Sequence, residues 1–76
     1  MILYIKRGCP WCIEAEQWLR GHGVAYTAMN VLADREAFSR MKAISGQTKA
    51  PVLVTEDNRV LADFGIDQLP KFLGSR

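Results

Sequence analysis

Apolar positions recur along this chain at two different periods, and the switches between them lay out its elements. Residues 2–6, ILYIK, form a short apolar run with β-branched members, the mark of a buried strand. From Pro10 the period lengthens. Cys12, Ala15 and Leu19 fall on one helical face, while Glu14, Glu16, Gln17 and Arg20 fall mostly elsewhere. Pro10 suits a first helical turn, Glu14 and Glu16 early and Arg20 late suit the helix dipole, and Gly21 and Gly23 end the helix.

A second strand is predicted over 24–31, VAYTAMNV, close enough behind the helix to require a right-handed crossover onto a parallel sheet. The run ADREAFSRMKAIS predicts a second helix, with Asp34 at its start, Phe38, Met41 and Ile44 inward, and Gly46 as its stop. Next, PVLVTEDNRVLA reads as a hairpin: two apolar runs around a polar turn. Residues 66–73, IDQLPKFL, read as a short last helix with Ile66, Leu69 and Phe72 or Leu73 inward and Pro70 in its first turns. The expected architecture is α/β: strand, helix, strand, helix, hairpin and helix, with one mixed four-stranded sheet.

Size makes this a single domain, 1–76, since 76 residues leave no room for a second core. Charge changes little. Ten basic residues are scattered among eight acidic ones for a net +2, which argues against a nucleic-acid surface. The opening MILYIKRG lacks a basic start and a long apolar stretch, so neither a signal peptide nor a membrane span is expected, and the chain reads as cytoplasmic.

Chemistry concentrates in KRGCPWCIEAE, residues 6–16, which holds both cysteines. As a structural staple this pair is weak: closing so short a loop contributes only ~2 kcal/mol, against ~4 kcal/mol for a bridge spanning most of the chain. As a redox pair it is well placed. Cys9 falls between the first strand and the first helix, where unpaired N–H groups, the helix dipole, Lys6 and Arg7 all favour thiolate over thiol. Cys12, one turn later and inward, would hold its proton until it attacks a mixed disulfide formed on Cys9. Residues three apart share a side of a helix, close enough to bridge. A tetrahedral zinc site needs four ligands, and the chain offers two cysteines and His22, which reads as a solvated helix cap. The rival reading is an iron–sulfur carrier bridged by Cys9 between two subunits. Trp11 lies between the cysteines, where it could cover a substrate. Trp18 is placed as core or partly buried, and Ile13 as an exposed apolar neighbour.

YIKRGCPWC resembles the active-site stretch of the glutaredoxins, in which a lysine three residues before the first cysteine precedes C-P-Y-C. Lys6, Cys9, Pro10 and Cys12 fall on those positions, and Trp11 stands where tyrosine is usual. TKAPVLV is similar to the family's T-V-P segment, with Pro51 on its cis-proline and Ala50 replacing the valine. The resemblance implies a thioredoxin-like fold, disulfide reduction linked to glutathione or to a thioredoxin-reductase-type flavoenzyme, protein disulfides as substrates, and a monomer with no tightly bound cofactor. It also implies substrate contacts at Lys6, Pro10, Trp11, Ala50 and Pro51, with Lys49 beside them. One segment departs. Where the family carries G-G-F-D or G-G-x-D-D, groups that hold the γ-glutamyl end of glutathione, this chain reads ADFG: Ala62 and Asp63 replace the glycines and Gly65 the aspartate. Asp63 is left to meet the amino group of glutathione or cap the last helix, and Asp67 to cap it. A cis bond is expected at Ala50–Pro51, because the chain must turn sharply there to bring Ala50 alongside the cysteines.

Overall fold

Leu3 and Tyr4, adjacent on the first strand, face opposite sides of one sheet, and this alternation divides the core into two. The structure, a computed structural model, describes residues 1–74. Its elements are β1 (Ile2–Ile5), α1 (Pro10–Gly21), β2 (Thr27–Asn30), α2 (Arg35–Ser45), β3 (Val52–Val54) and β4 (Val60–Ala62), followed by a 3₁₀ turn (Ile66–Gln68) that runs straight into α3 (Leu69–Phe72). The strands lie in the order β2-β1-β3-β4, with β1 parallel to β2 and antiparallel to β3, and β3 antiparallel to β4.

On one face Leu3 and Leu53 pack with Ala15 and Leu19 of α1 and with Phe64, Leu69 and Leu73 around α3. On the other, Tyr4, Val52 and Val54 pack with Ala37 and Met41 of α2. Each fully buried leucine or phenylalanine contributes roughly 1.5–3 kcal/mol. Trp18 is half-buried against the first cluster.

The helix ends follow from local chemistry. Asp34 Oδ1 accepts from the N–H groups of Glu36 (3.0 Å) and Ala37 (3.2 Å), capping α2, and Gly46 closes it in the left-handed region at φ 73°. At the end of α1 the N–H of Gly23 donates to Arg20 O (3.2 Å) and that of Val24 to Leu19 O (2.9 Å), a Schellman arrangement whose apolar contact joins Val24 and Leu19. Gly21 is therefore the last residue of α1 rather than its terminator, and His22 is the cap. The exposed His22 ring stacks on Trp18 at 3.8 Å, with Nδ1 2.8 Å from Trp18 O.

Several sequence expectations need correction. Ile44 is exposed, because the inward stripe of α2 runs from Ala37 through Met41 to Ser45, whose hydroxyl donates to Met41 O, and Ile44 lies to one side. Ile66 is exposed too: it begins a 3₁₀ turn, and Phe64 already fills the core position just before it. Pairing in β2 begins only at Thr27, since Val24 is committed to the α1 cap. The first turn of α1 holds no acid. Among the described residues no helix is long and apolar enough to cross a membrane.

Candidate active site

Two neighbouring antiparallel strands deliver the site. β1 ends toward Cys9 and β3 begins just after Pro51, so the Tyr4–Val52 pairing brings both loops to the same end of the sheet. Gly8, at φ 84°, turns the chain out of β1, a conformation that a side chain would strain. The N–H of Cys9 then donates to Lys6 O at 3.1 Å. Cys9 itself is the N-cap of α1, with extended backbone angles and its carbonyl accepting from Cys12 and Ile13.

The cap is completed by sulfur. The N–H of Cys12 donates to Cys9 Sγ at 3.4 Å, so the first turn of the helix aims a donor at the half-exposed thiol. Pro10, exposed at the start of α1, supplies the fixed φ of that turn and lacks an N–H that would otherwise be unpaired. Cys12 is buried, and its thiol is pushed up to about 12, chiefly by removal from water and then by hydrogen bonding to Cys9; a backbone contact with Lys6 opposes this. Both cysteines are free thiols. The pair is asymmetric by construction: one accessible sulfur facing a helix start, and one protonated sulfur behind it.

Across the site Pro51 is buried, and the Ala50–Pro51 bond is cis, as its position beside the cysteines led us to expect. Pro51 O accepts from the N–H of Asp63 at 2.9 Å. Asp63 sits at φ 51°, left-handed backbone that glycine adopts freely and aspartate tolerates, which accounts for a glycine at this place in the family pattern. Ahead of Ala50 the Gln47 side chain holds the backbone of Lys49 at both ends: its Oε1 accepts from the Lys49 N–H and its Nε2 donates to Lys49 O. Lys49, Asp63 and Ala62 line a groove of about 460 Å³ with Lys42, Gly46, Gln47 and Thr48.

Trp11 does not line that groove. Trp11 is 59% exposed and its ring rests on Gly65, where an added Cβ would stand 3.2 Å from the indole. Lys6 is half-buried, with its carbonyl committed to Cys9. Of the residues singled out from sequence, the structure thus groups Lys6, Cys9, Pro10 and Cys12 around the start of α1, and Ala50, Pro51, Lys49 and Asp63 around the start of β3. Two contributors went unread. Gln47 acts through a side-chain amide that has no sequence signature. Gly65 had one: a tryptophan larger than the usual tyrosine at position 11, and a glycine smaller than the usual aspartate at position 65, are complementary changes that meet in one contact.

Residues 1–60 match the glutaredoxin family. The chain is 24% identical over 71 residues to an uncharacterized glutaredoxin-like 8.6 kDa protein in the rubredoxin operon of Clostridium pasteurianum, covering 93% of each. It is 25% identical over 71 residues to the Gene 56 protein of Mycobacterium phage L5, covering 93% of this chain and 69% of that protein. Among solved structures, the thioredoxin-like protein BC3987 is similar at a TM-score of 0.85 and 28% identity, covering 93% of this chain and 96% of that one. The glutaredoxin Grx-1 from Archaeoglobus fulgidus shares the fold at a TM-score of 0.82 and 19% identity, over 95% and 83% of the two chains. The four-stranded mixed sheet with three helices is the thioredoxin-like fold.

Proposed function

Because the chain belongs to the glutaredoxin family, we propose that it is a small dithiol–disulfide oxidoreductase, with Cys9 as nucleophile and Cys12 as resolving thiol. The observation that carries this reading is the Cys12 N–H aimed at Cys9 Sγ while Cys12 itself lies buried. The Cys9 thiolate attacks one sulfur of a substrate disulfide. That S–S bond breaks, a mixed disulfide forms on Cys9, and the departing thiolate takes a proton. Cys12 then gives up its proton to the leaving sulfur or to water and attacks Cys9 Sγ. The Cys9–Cys12 disulfide forms and the second substrate thiol leaves, so two electrons have passed from the pair to the substrate.

The substrates in this reading are protein disulfides and glutathione mixed disulfides, met by the protein as a cytoplasmic monomer. Its reductant is glutathione, two molecules of which become glutathione disulfide, or the dithiol of a thioredoxin-reductase-type flavoenzyme. Lys42 and Lys49 beside Asp63 supply the opposite charges that a zwitterionic tripeptide needs. Turnover of a protein disulfide and of a glutathione mixed disulfide, measured with each reductant in turn, tests the assignment. No turnover with either reductant would overturn it.

A further inference from the structure

Beside the cysteine pair, the two backbone amides that flank Phe64 are already engaged within the chain. The N–H of Gly65 donates to Gln68 Oε1 at 2.9 Å, and the N–H of Asp63 to Pro51 O at 2.9 Å. Asp63 and Asp67, on either side of Gly65, are both exposed and add negative charge. A carboxylate arriving here meets like charges, with the Asp63 and Gly65 amides already engaged. An apolar or cationic group meets something better.

Trp11 lies on bare backbone. A Cβ at Gly65 would stand 3.2 Å from Trp11 Cζ3, 3.7 Å from Cε3 and 2.8 Å from Asp67 Oδ1, so the indole and the Asp67 carboxylate converge on the space that glycine leaves open. Trp11 stays 59% exposed, and Ile66, the residue after its seat, is 37% exposed. Trp11 is two residues from Cys9, so this aromatic and apolar surface borders the attacking sulfur. Its composition suits an apolar side chain against the indole and a lysine or arginine reaching both the ring face and Asp67.

We propose that Trp11, seated on Gly65 with Asp67 beside it, is a specificity platform that selects disulfides carried in apolar, basic protein segments over glutathione disulfide. The inference rests on the dithiol–disulfide reading and narrows its substrate class. Glutathione carries two carboxylates for one ammonium and has no large apolar side chain, so it gains little from this surface and meets its acids.

The test is stoichiometric oxidation of the fully reduced protein, with no added reductant, followed by the loss of the protein's own two thiols, read by mass spectrometry after acid quench and alkylation. Each disulfide accepts two electrons from the Cys9–Cys12 pair and is released as two thiols. Four disulfides are compared: bis(2-hydroxyethyl) disulfide, glutathione disulfide, a short peptide disulfide with leucine and lysine flanking its cysteine, and the same peptide with glutamate for lysine. With rates normalised to bis(2-hydroxyethyl) disulfide, the leucine–lysine peptide should exceed glutathione disulfide by about tenfold, a discrimination within reach of one apolar contact and one charge. Trp11→Ala and Gly65→Ala should each bring that ratio to within about twofold of unity, and Asp67→Asn should erase the preference for lysine over glutamate. Trp11 and Asp67 are exposed, so those variants keep the test independent of any folding defect in Gly65→Ala. A wild-type ratio near unity, or ratios unchanged in all three variants, would overturn the platform while leaving the oxidoreductase intact. Failure of bis(2-hydroxyethyl) disulfide to react at all would overturn both.

Discussion

The backbone N–H of Cys12 points at the sulfur of Cys9 across 3.4 Å, so the residue we assign to resolving the intermediate also aims a donor at the proposed nucleophile. These two contributions separate by mutation, because one belongs to the main chain and the other to the side chain. Cys9→Ser should abolish disulfide reduction altogether. Cys12→Ser keeps the N–H and loses the resolving thiol, so it should accumulate mixed disulfides with protein substrates. On glutathione mixed disulfides it should retain part of its activity, since free glutathione resolves that intermediate. Mass spectrometry of the trapped adducts and steady-state rates check both. Full activity of both variants on a protein disulfide would refute the dithiol mechanism.

Burial of Cys12 makes the reduced protein sensitive to alkali. Its thiol is raised from an ordinary value of 9.0 to about 12, mainly by desolvation. Between those limits the unfolded chain has lost the proton and the folded one keeps it, so the unfolded state is favoured progressively as pH rises. Unfolding free energy should fall by up to about 1.4 kcal/mol per pH unit in that window and be indifferent to Cys12 below it. Tyr26, raised by burial and by its hydrogen bond to Glu16, adds to the fall with the same sign above its ordinary value of 10.0. Denaturant titrations from pH 8 to 11 should show the decline in the reduced wild type. Cys12→Ala should flatten its first part.

At Asp63 the backbone is left-handed with φ 51°. Asp63→Gly should raise stability by about 0.5 kcal/mol, whereas Asp63→Val should lower it by more than 1 kcal/mol, because a branched Cβ fits that region worst. Thermal unfolding orders the three proteins. A glycine variant less stable than wild type would show that the aspartate side chain contributes more than its backbone costs.

Asp34→Ala should cost about 1 kcal/mol, since Asp34 Oδ1 serves two N–H groups at the start of α2. For a domain of this size that lowers the melting temperature by roughly 4–8 °C. Asp34→Ser should recover most of the loss. An alanine variant with unchanged melting would mean that water serves those N–H groups equally well.

Much of this architecture was legible in the sequence because its signals are local. Asp34 and Gly46 bracket α2 as written, and the run 2–6 gave β1 to within a residue. Cys9 and Cys12 fall where a strand–helix junction puts them. What was not legible depends on contacts distant in sequence or on backbone angles. Ile44 follows the period of α2 loosely enough to pass for core, and only the packing of Ala37 and Met41 on the sheet shows which stripe faces inward. Ile66 looked helical because an α-helix and a 3₁₀ turn share apolar spacing over a few residues. The Gln47 clamp on Lys49 and the bond from Asp63 to Pro51 use groups that any sequence contains. Trp11 could be placed between the cysteines, but what it rests on required Gly65 to be brought to it through the fold.

The antiparallel pairing of β1 with β3 has a consequence for how the protein fails. Cys9 and Cys12 stay close in any state of the chain, since only two residues separate them. The loop of Pro51 shares their end of the sheet only while Tyr4 is registered against Val52. A slip of two residues along that ladder preserves every side chain's face, yet carries Pro51 roughly 7 Å along the sheet from its native place. Thiol chemistry and substrate grip are therefore insured by different parts of the molecule. As the protein is warmed toward unfolding, indiscriminate exchange with small reagents should outlast selective exchange with large ones. A damaged copy would go on trading electrons after it has lost the means to choose with whom.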